Sequence, residues 1–311
     1  MSKKQKKVNR SKRQRGTAEP QSRSAIDEFL GGRWQPYFLI IFLAFIIYVQ
    51  ALAFGFVHFD DHKIIVQQHD QIESLSKIPG AFTDAFGNLY RPVLKISWIF
   101  DSQISGKSAG MYHFANIIFH IIASVLVFVA LLKFRFRRVP ALLLSLVFTV
   151  HPVLVEAVAW IPGRNNSLLT IFALLSFISI INYFDTKKIL FVILHLALFA
   201  LAIFTKETAA LLPLMIVLYA ALIRKDKIFK IDKFIILAVW LAIGIVWFLL
   251  RENELANTQT RDITGFEAFF ANISAFPDML GKIILPINMS GLAVTHTMHT
   301  AAGIALVLLL I

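Results

Sequence analysis

The sequence predicts an all-α polytopic membrane protein, and three observations carry the prediction. Of 311 residues, 57% are hydrophobic and 16% charged, and mean hydropathy is +0.69; a water-soluble domain is about half apolar and about a quarter charged. The apolar residues gather into runs close to the ~20 residues that cross a ~30 Å hydrocarbon core as a helix. Lys and Arg gather into segments that share one side if those runs alternate across the bilayer.

In chain order, residues 1–36 form a basic tail that opens MSKKQKKVNRSKRQR. The tail lacks the short apolar core and small-residue cleavage site of a secretory signal, so the run after it is a retained helix. Residues 37–311 form the membrane module, with apolar runs at Tyr37–Val57, Phe114–Leu132, Val139–Trp160, Leu168–Phe184, Ile189–Phe204, Ala209–Ile223 and Phe234–Leu250. An eighth begins near His299 and reaches Ile311 after about a dozen residues, too few to span. The sequence therefore reads as a fragment of about eight spans, the last cut short.

The basic segments KFRFRR (133–138), DTKK (185–188) and RKDKIFKIDK (224–233) fall on the same side as the tail. The positive-inside rule places that side, and the N-terminus, in the cytoplasm. The net charge of +12 is then accounted for by attraction to the lipid bilayer, and no nucleic acid is expected as a partner. Cysteine is absent, which excludes a disulfide framework and thiol catalysis. It also favours a bacterial inner membrane over the endoplasmic reticulum. No repeat of about 20–50 residues is visible.

Two long loops face the other side, at 58–113 and 251–298. In the first, Ile72, Leu75, Ile78, Phe82 and Phe86, then Leu94, Trp98 and Ile99, recur at helical spacing among charged residues, the pattern of interfacial helices held on the membrane surface. In the second, GFEAFFANISAFPDML (265–280) sets Phe266, Phe269, Phe270, Ile273 and Phe276 on roughly one face, again an interfacial helix.

Several charges lie where lipid makes them costly. Asp60 and Asp61, followed by His62, stand where the first apolar run ends, although Ser, Asn or Lys would make a cheaper polar end. Lys206 and Glu207, in TKET (205–208), join two runs that both fall short of a full span. At 1.5 Å per residue that shortfall sinks the turn about 6–8 Å below the outer edge of the core. The run Val139–Trp160 contains His151, Pro152 and Glu156 and leads to Arg164. Pro152 removes a backbone hydrogen bond and predicts a kink. His151 and Glu156 point about 140° apart on a straight helix, so they share a site only if the kink rotates one of them. Arg91 precedes a proline that restricts its backbone; it reads either as a site cation or as an arginine snorkelling to water. His113, Asn116 and His120 share one helix face, which suits a metal and interhelical hydrogen bonding equally.

Taken in order, FDDHKII, YRPVLKISWIFD, YHFANIIFH, HPVLVEAVAWIPGR and TKETAALLP resemble the transmembrane and tetratricopeptide-repeat-containing protein O-mannosyltransferase family and its bacterial relatives, within the GT-C glycosyltransferase superfamily. The resemblance runs from about Phe59 to Pro213, with a weaker echo at LPINMSG. It implies a GT-C-like helix bundle that transfers a sugar, mannose in that family, from a polyprenyl- or dolichyl-phosphate donor to a hydroxyl acceptor. That acceptor would be a protein Ser/Thr or a glycan, and the site would face the extracytoplasmic or lumenal side. It also implies that Asp60 and Asp61 lie at the catalytic centre. Two departures stand out. The Asn-Pro common after the acidic pair is missing from VQQHD (66–70), and Asn166 occupies the position of an expected acid.

The chemistry fits such a transfer. A carboxylate within reach can take the proton of an attacking hydroxyl. Two adjacent acids repel, which raises one pKa unless a cation stands nearby. That cation could be an Arg, or a divalent metal (Mn or Mg) on Asp60 and Asp61; no other cofactor is expected. The leaving lipid phosphate needs positive charge, for which Arg91, Arg164 and Lys206 are the candidates, with Glu156, Glu207, His151 and His62 in support. Which Asp is the base stays open. The rival reading is a transporter or lipid flippase that uses Lys206, Glu207, Glu156 and His151 as a relay, although a transporter site is expected near the midplane between repeated halves.

Overall fold

The computed structural model describes residues 32–57, 60–83, 89–225, 231–256, 270, 272–273, 275–287, 289 and 296–310. The first helix, α1 (Gln35–Tyr48), has a proline in its first turn, where no backbone N–H is missed, and a 3-10 turn extends it to Ala53. The loop after it passes through a π-helical turn (His62–Gln67) and three 3-10 turns (His69–Gln71, Leu75–Lys77, Pro79–Phe82) into α2 (Pro92–Ser105). Then follow α3 (Ala109–Lys133), α4 (Arg138–Val150), the short α5 (Val155–Ala159) and α6 (Arg164–Thr186). After them come α7 (Ile189–Thr205), α8 (Leu212–Leu218), α9 (Ile231–Leu255), α10 (Ala275–Ile284) and α11 (Thr297–Leu310).

Among the described residues, four stretches are long and apolar enough to cross a membrane: Gln35–Ala53, Ala109–Lys133, Arg164–Thr186 and Phe234–Leu255. Arg138–Val150 and Pro152–Ala159, bent by 51° at the break between them, make a fifth if taken as one span. The break falls at the predicted kink: His151, just before Pro152, is extended (φ −65°, ψ 125°), as a residue preceding proline is driven to be. Ile189–Thr205 and Glu207–Ile223 are apolar but shorter, so the expected alternating runs resolve into full spans, a bent one and a short hairpin.

The long α3 is the centre of the bundle, packed by α1, α2, α4, α5 and α6. A large core cluster joins α6 to α9, with Phe177, Phe199, Tyr219 and Trp240 among its members. A second cluster, including Ile64, Ile65, Ile72, Trp98, Tyr112 and Leu168, fastens the loop between α1 and α2 onto α3 and α6. This burial of apolar side chains is what orders the loop. Leu94, Trp98 and Ile99 are buried along α2 as its spacing predicts, whereas Leu75 is left exposed. The segment before α2 forms 3-10 turns in place of a longer helix: the Ser74 side chain caps one turn and Pro79–Gly80 opens another. Of the interfacial helix expected over 265–280, residues 265–269, 271 and 274 lie outside the described residues, as do the tail 1–31 and Phe86; from Ala275 onward the segment is helical, in α10.

Candidate active site

Asp60 and Asp61 open a helical turn and take different positions. Asp60 is half-buried and borders a cleft of about 340 Å³. Asp61 is fully buried. Its Oδ2 accepts the Val57 N–H at 3.1 Å, while Oδ1 is buried without a hydrogen-bond partner among the described residues. Burial pushes the Asp61 carboxyl up to about 6, with Asp60 adding to the rise and the Val57 N–H and Arg164 opposing it.

Around Asp60 the cleft presents Lys63, Arg91 and Lys95 as its charged walls, with Trp98, Trp160, Leu89 and Pro162 as its apolar ones. Lys95 is 3% exposed and donates to Gln71 Oε1 at 3.2 Å. A concave site with apolar walls and a few convergent charges is the usual form of a small-molecule site. Sequence reasoning passed over Lys63 and Lys95. The signal was periodicity: Lys63 lies three residues after Asp60, and Lys95 four after Arg91, each pair on one helical face.

Of the three cations expected around a phosphate, only Arg91 borders the cleft. Its guanidinium grips Glu207 with two hydrogen bonds, Nε to Oε2 at 3.2 Å and Nη2 to Oε1 at 2.7 Å. Lys206, in the turn after α7, donates from Nζ to Asn166 Oδ1 at 2.6 Å, so the residue standing in place of an acid supplies a neutral acceptor. Glu156 is exposed and, like Glu207, lies near enough to act on the Lys206 charge.

Arg164 departs from the expectation. It is fully buried, and its donors are spent on the protein: Nη1 on Asp101 and on Ser97 Oγ at 3.3 Å, Nε on Asn116 Oδ1 at 2.7 Å, Nη2 on the Tyr112 carbonyl at 2.7 Å. In this arrangement no face of the guanidinium is open to a ligand. The physical reason is Asp101, an acid on α2 whose partner lies far along the chain. Gly163 permits the turn, because a Cβ there would collide with the Glu156 carbonyl.

His113, His120 and His151 bond to backbone groups. His151 accepts the Val153 N–H at 3.2 Å through Nδ1 and reaches the Ile283 carbonyl at 2.9 Å through Nε2, so it closes the helix break and does not join Glu156. His62 is half-buried at the start of the π-helical turn. His113, Asn116 and His120 each turn to a different segment: the Gly55 carbonyl, the Val158 and Trp160 carbonyls, and the Thr149 carbonyl. Among the described residues no group of three His, Cys, Asp or Glu could hold a metal ion. The charged groups that border the cleft beside Asp60 are lysine and arginine.

Comparison with known proteins bears on the family. A family match, dolichyl-phosphate-mannose-protein mannosyltransferase, covers residues 94–251. The chain is 28% identical over 176 residues to Protein O-mannosyl-transferase Tmtc1 of Drosophila melanogaster, covering 54% of this chain and 20% of that protein. It is 30% identical over 151 residues to Protein O-mannosyl-transferase TMTC3 of Homo sapiens (45% and 16%). It is 33% identical over 178 residues to a Protein O-mannosyl-transferase of Caenorhabditis elegans (52% and 25%). The chain thus spans a quarter or less of these relatives' length. All three are animal proteins, which lends no support to a bacterial membrane. No solved structure matches the chain. The matched segment 94–251 is just over half of the 311 residues and holds α2 from Leu94, Arg164 and the Lys206–Glu207 turn, and on that ground the chain belongs to the dolichyl-phosphate-mannose-protein mannosyltransferase family.

Proposed function

We propose that this chain is the membrane-embedded catalytic module of a glycosyltransferase. In this reading it moves a sugar, mannose by analogy with its relatives' names, from a polyprenyl- or dolichyl-phosphate donor to a hydroxyl of a protein Ser or Thr, or of a glycan. The site lies on the extracytoplasmic or lumenal side, opposite the basic segments. One observation carries the reading: Asp60 borders a cleft whose other charged groups, Lys63, Arg91 and Lys95, are all cations.

The chemistry follows from that placement. The Asp60 carboxylate takes the proton from the acceptor hydroxyl as its oxygen attacks the anomeric carbon. The bond from that carbon to the lipid phosphate oxygen breaks, and the phosphate leaves with the electron pair. Lys63, Arg91 and Lys95 stabilise the charge that grows there. Asp61 stands behind Asp60, where its buried carboxyl holds the Val57 backbone and so shapes the turn. Of the three cations first expected at the phosphate, Arg91 keeps that role, Lys206 holds the hairpin turn to α6, and Arg164 braces the walls.

The test supplies the full-length protein with radiolabelled polyprenyl- and dolichyl-phosphate sugars and peptide acceptors, comparing wild type with Asp60→Asn and Asp61→Asn at matched folding. Transfer that collapses in Asp60→Asn and is only weakened in Asp61→Asn supports the assignment. The reverse order exchanges the two roles, and transfer untouched by either removes the acidic pair from the chemistry. If wild type moves no sugar from any donor, flux of lipid or solute across liposomes becomes the measurement.

A further inference from the structure

We infer that Asp101 is a positioning residue, which acts through Arg164 to set the separation of the two walls of the cleft. The inference rests on the reading of that cleft as the transfer site. One wall comes from α2, whose Leu94, Lys95 and Trp98 border the cleft just after Arg91. The facing wall is the turn between α5 and α6, with Trp160 and Pro162, and the start of α6, with Asn165. Arg164 belongs to that second wall by position, yet its side chain is aimed at the first.

It meets Ser97 and Asp101, which are four residues apart and so on one face of α2. The same guanidinium meets Asn116 and the Tyr112 carbonyl of α3. Direct packing between α2 and α6 is otherwise sparse, so this cage is their main polar tie. With Arg164 fully buried, water does not compete for its donors. Such a pair is a rigid strut: the two planar groups must keep their relative geometry for the hydrogen bonds to persist. Neither Asp101 nor Arg164 borders the cleft, so any effect on transfer passes through the residues beside them. Lys95 and Trp98 lie between Asp101 and Arg91 on α2, while Asn165 adjoins Arg164 directly.

The test uses the absence of cysteine from the full chain. Spin labels are introduced by Ile104→Cys on α2 and Val155→Cys on α5, both exposed and away from the cleft. The distance distribution between them is compared in wild type, in Asp101→Asn, and in the pair Asp101→Leu with Arg164→Met. Asp101→Asn keeps the shape and removes the charge. The double change removes the strut without leaving an unpaired buried ion, which such replacements tolerate.

The expected result is one narrow distance in wild type and a broader distribution in both variants. Turnover per folded molecule is expected to fall at least tenfold, a quantity that a loss of folded protein alone does not change. A wild-type distance distribution in Asp101→Asn overturns the proposal. So does a double variant with wild-type turnover, and that variant decides the matter if Asp101→Asn does not fold. Absence of transfer in wild type would instead refute the glycosyltransferase reading, and the distance comparison would still judge the strut.

Discussion

Arg91 and Glu207, 116 positions apart in the chain, are joined by two hydrogen bonds that fasten the start of α2 to the turn after α7. The Glu207 side chain is 46% exposed and that of Arg91 12%, so the pair is screened and its contribution to stability is modest, about 0.2–1 kcal/mol. Its effect on transfer is expected to be asymmetric. Arg91 borders the cleft and Glu207 does not, and lysine cannot reproduce the two-pronged grip. Arg91→Lys should therefore lower kcat/KM more than Glu207→Gln, with the double variant close to Arg91→Lys alone. Equal losses from the two single changes would remove Arg91 from the donor site.

Asp61 makes stability depend on pH with a definite sign. Its carboxyl ionises at about 6 in the folded chain against an ordinary 3.8, so the folded state holds the proton more tightly than the unfolded state. The associated stability is present below about pH 4 and is lost as pH rises through about 6. Asp61→Asn keeps an acceptor for the Val57 N–H and carries no charge. It should match wild type near pH 4 and exceed it above pH 7, by at most about 3 kcal/mol. Thermal unfolding in detergent across that range checks this, and an advantage that does not vary with pH would contradict it.

Two glycines should answer the same substitution in opposite ways. Gly163→Ala drives a methyl group into the Glu156 carbonyl, with the Trp160 carbonyl at 3.0 Å on another side, and should cost about 1–3 kcal/mol. At Gly244, inside α9, a Cβ meets nothing within 4 Å, and alanine is the better helix former by about 1 kcal/mol. Melting temperatures of the two variants, falling for one and rising for the other, give the comparison.

The attachment of α9 to its neighbours can be probed at one bond. Trp240 Nε1 donates to His195 Nε2 at 2.8 Å, and His195 Nδ1 meets the Ser176 hydroxyl at 2.8 Å, so one imidazole links α6, α7 and α9. Trp240→Phe leaves a buried nitrogen without its donor and should cost about 1–3 kcal/mol. In a double variant with His195→Phe the two losses should fall short of additive, as read by unfolding in detergent. Additive losses would show that the bond carries no coupling.

Much of this arrangement was legible in the sequence wherever lipid makes a polar group conspicuous. The acidic pair, the Lys206–Glu207 turn and the break at Pro152 all interrupt apolar runs, and each is found at a junction of elements. Arg164 was equally conspicuous, but its partner was not: Asp101 lies 63 positions earlier on an amphipathic helix, where an acid reads as one more side chain facing water. Lys63 and Lys95 were hidden for a similar reason, since a lysine in an outer loop looks like solvated charge until its neighbours are known. His195 sits in an otherwise apolar run, and only the three-dimensional pairing reveals that Ser176 and Trp240 complete it.

The cage around Arg164 also bears on how the chain is assembled. Ser97, Asp101, Tyr112 and Asn116, the residues that hold the guanidinium, all precede Arg164 in sequence. Chains emerge from the ribosome N-terminus first, so the receptor for this charge is already synthesised when its occupant arrives. An arginine at a helix start is costly to leave in lipid, and here translation order alone supplies its counter-charge in advance.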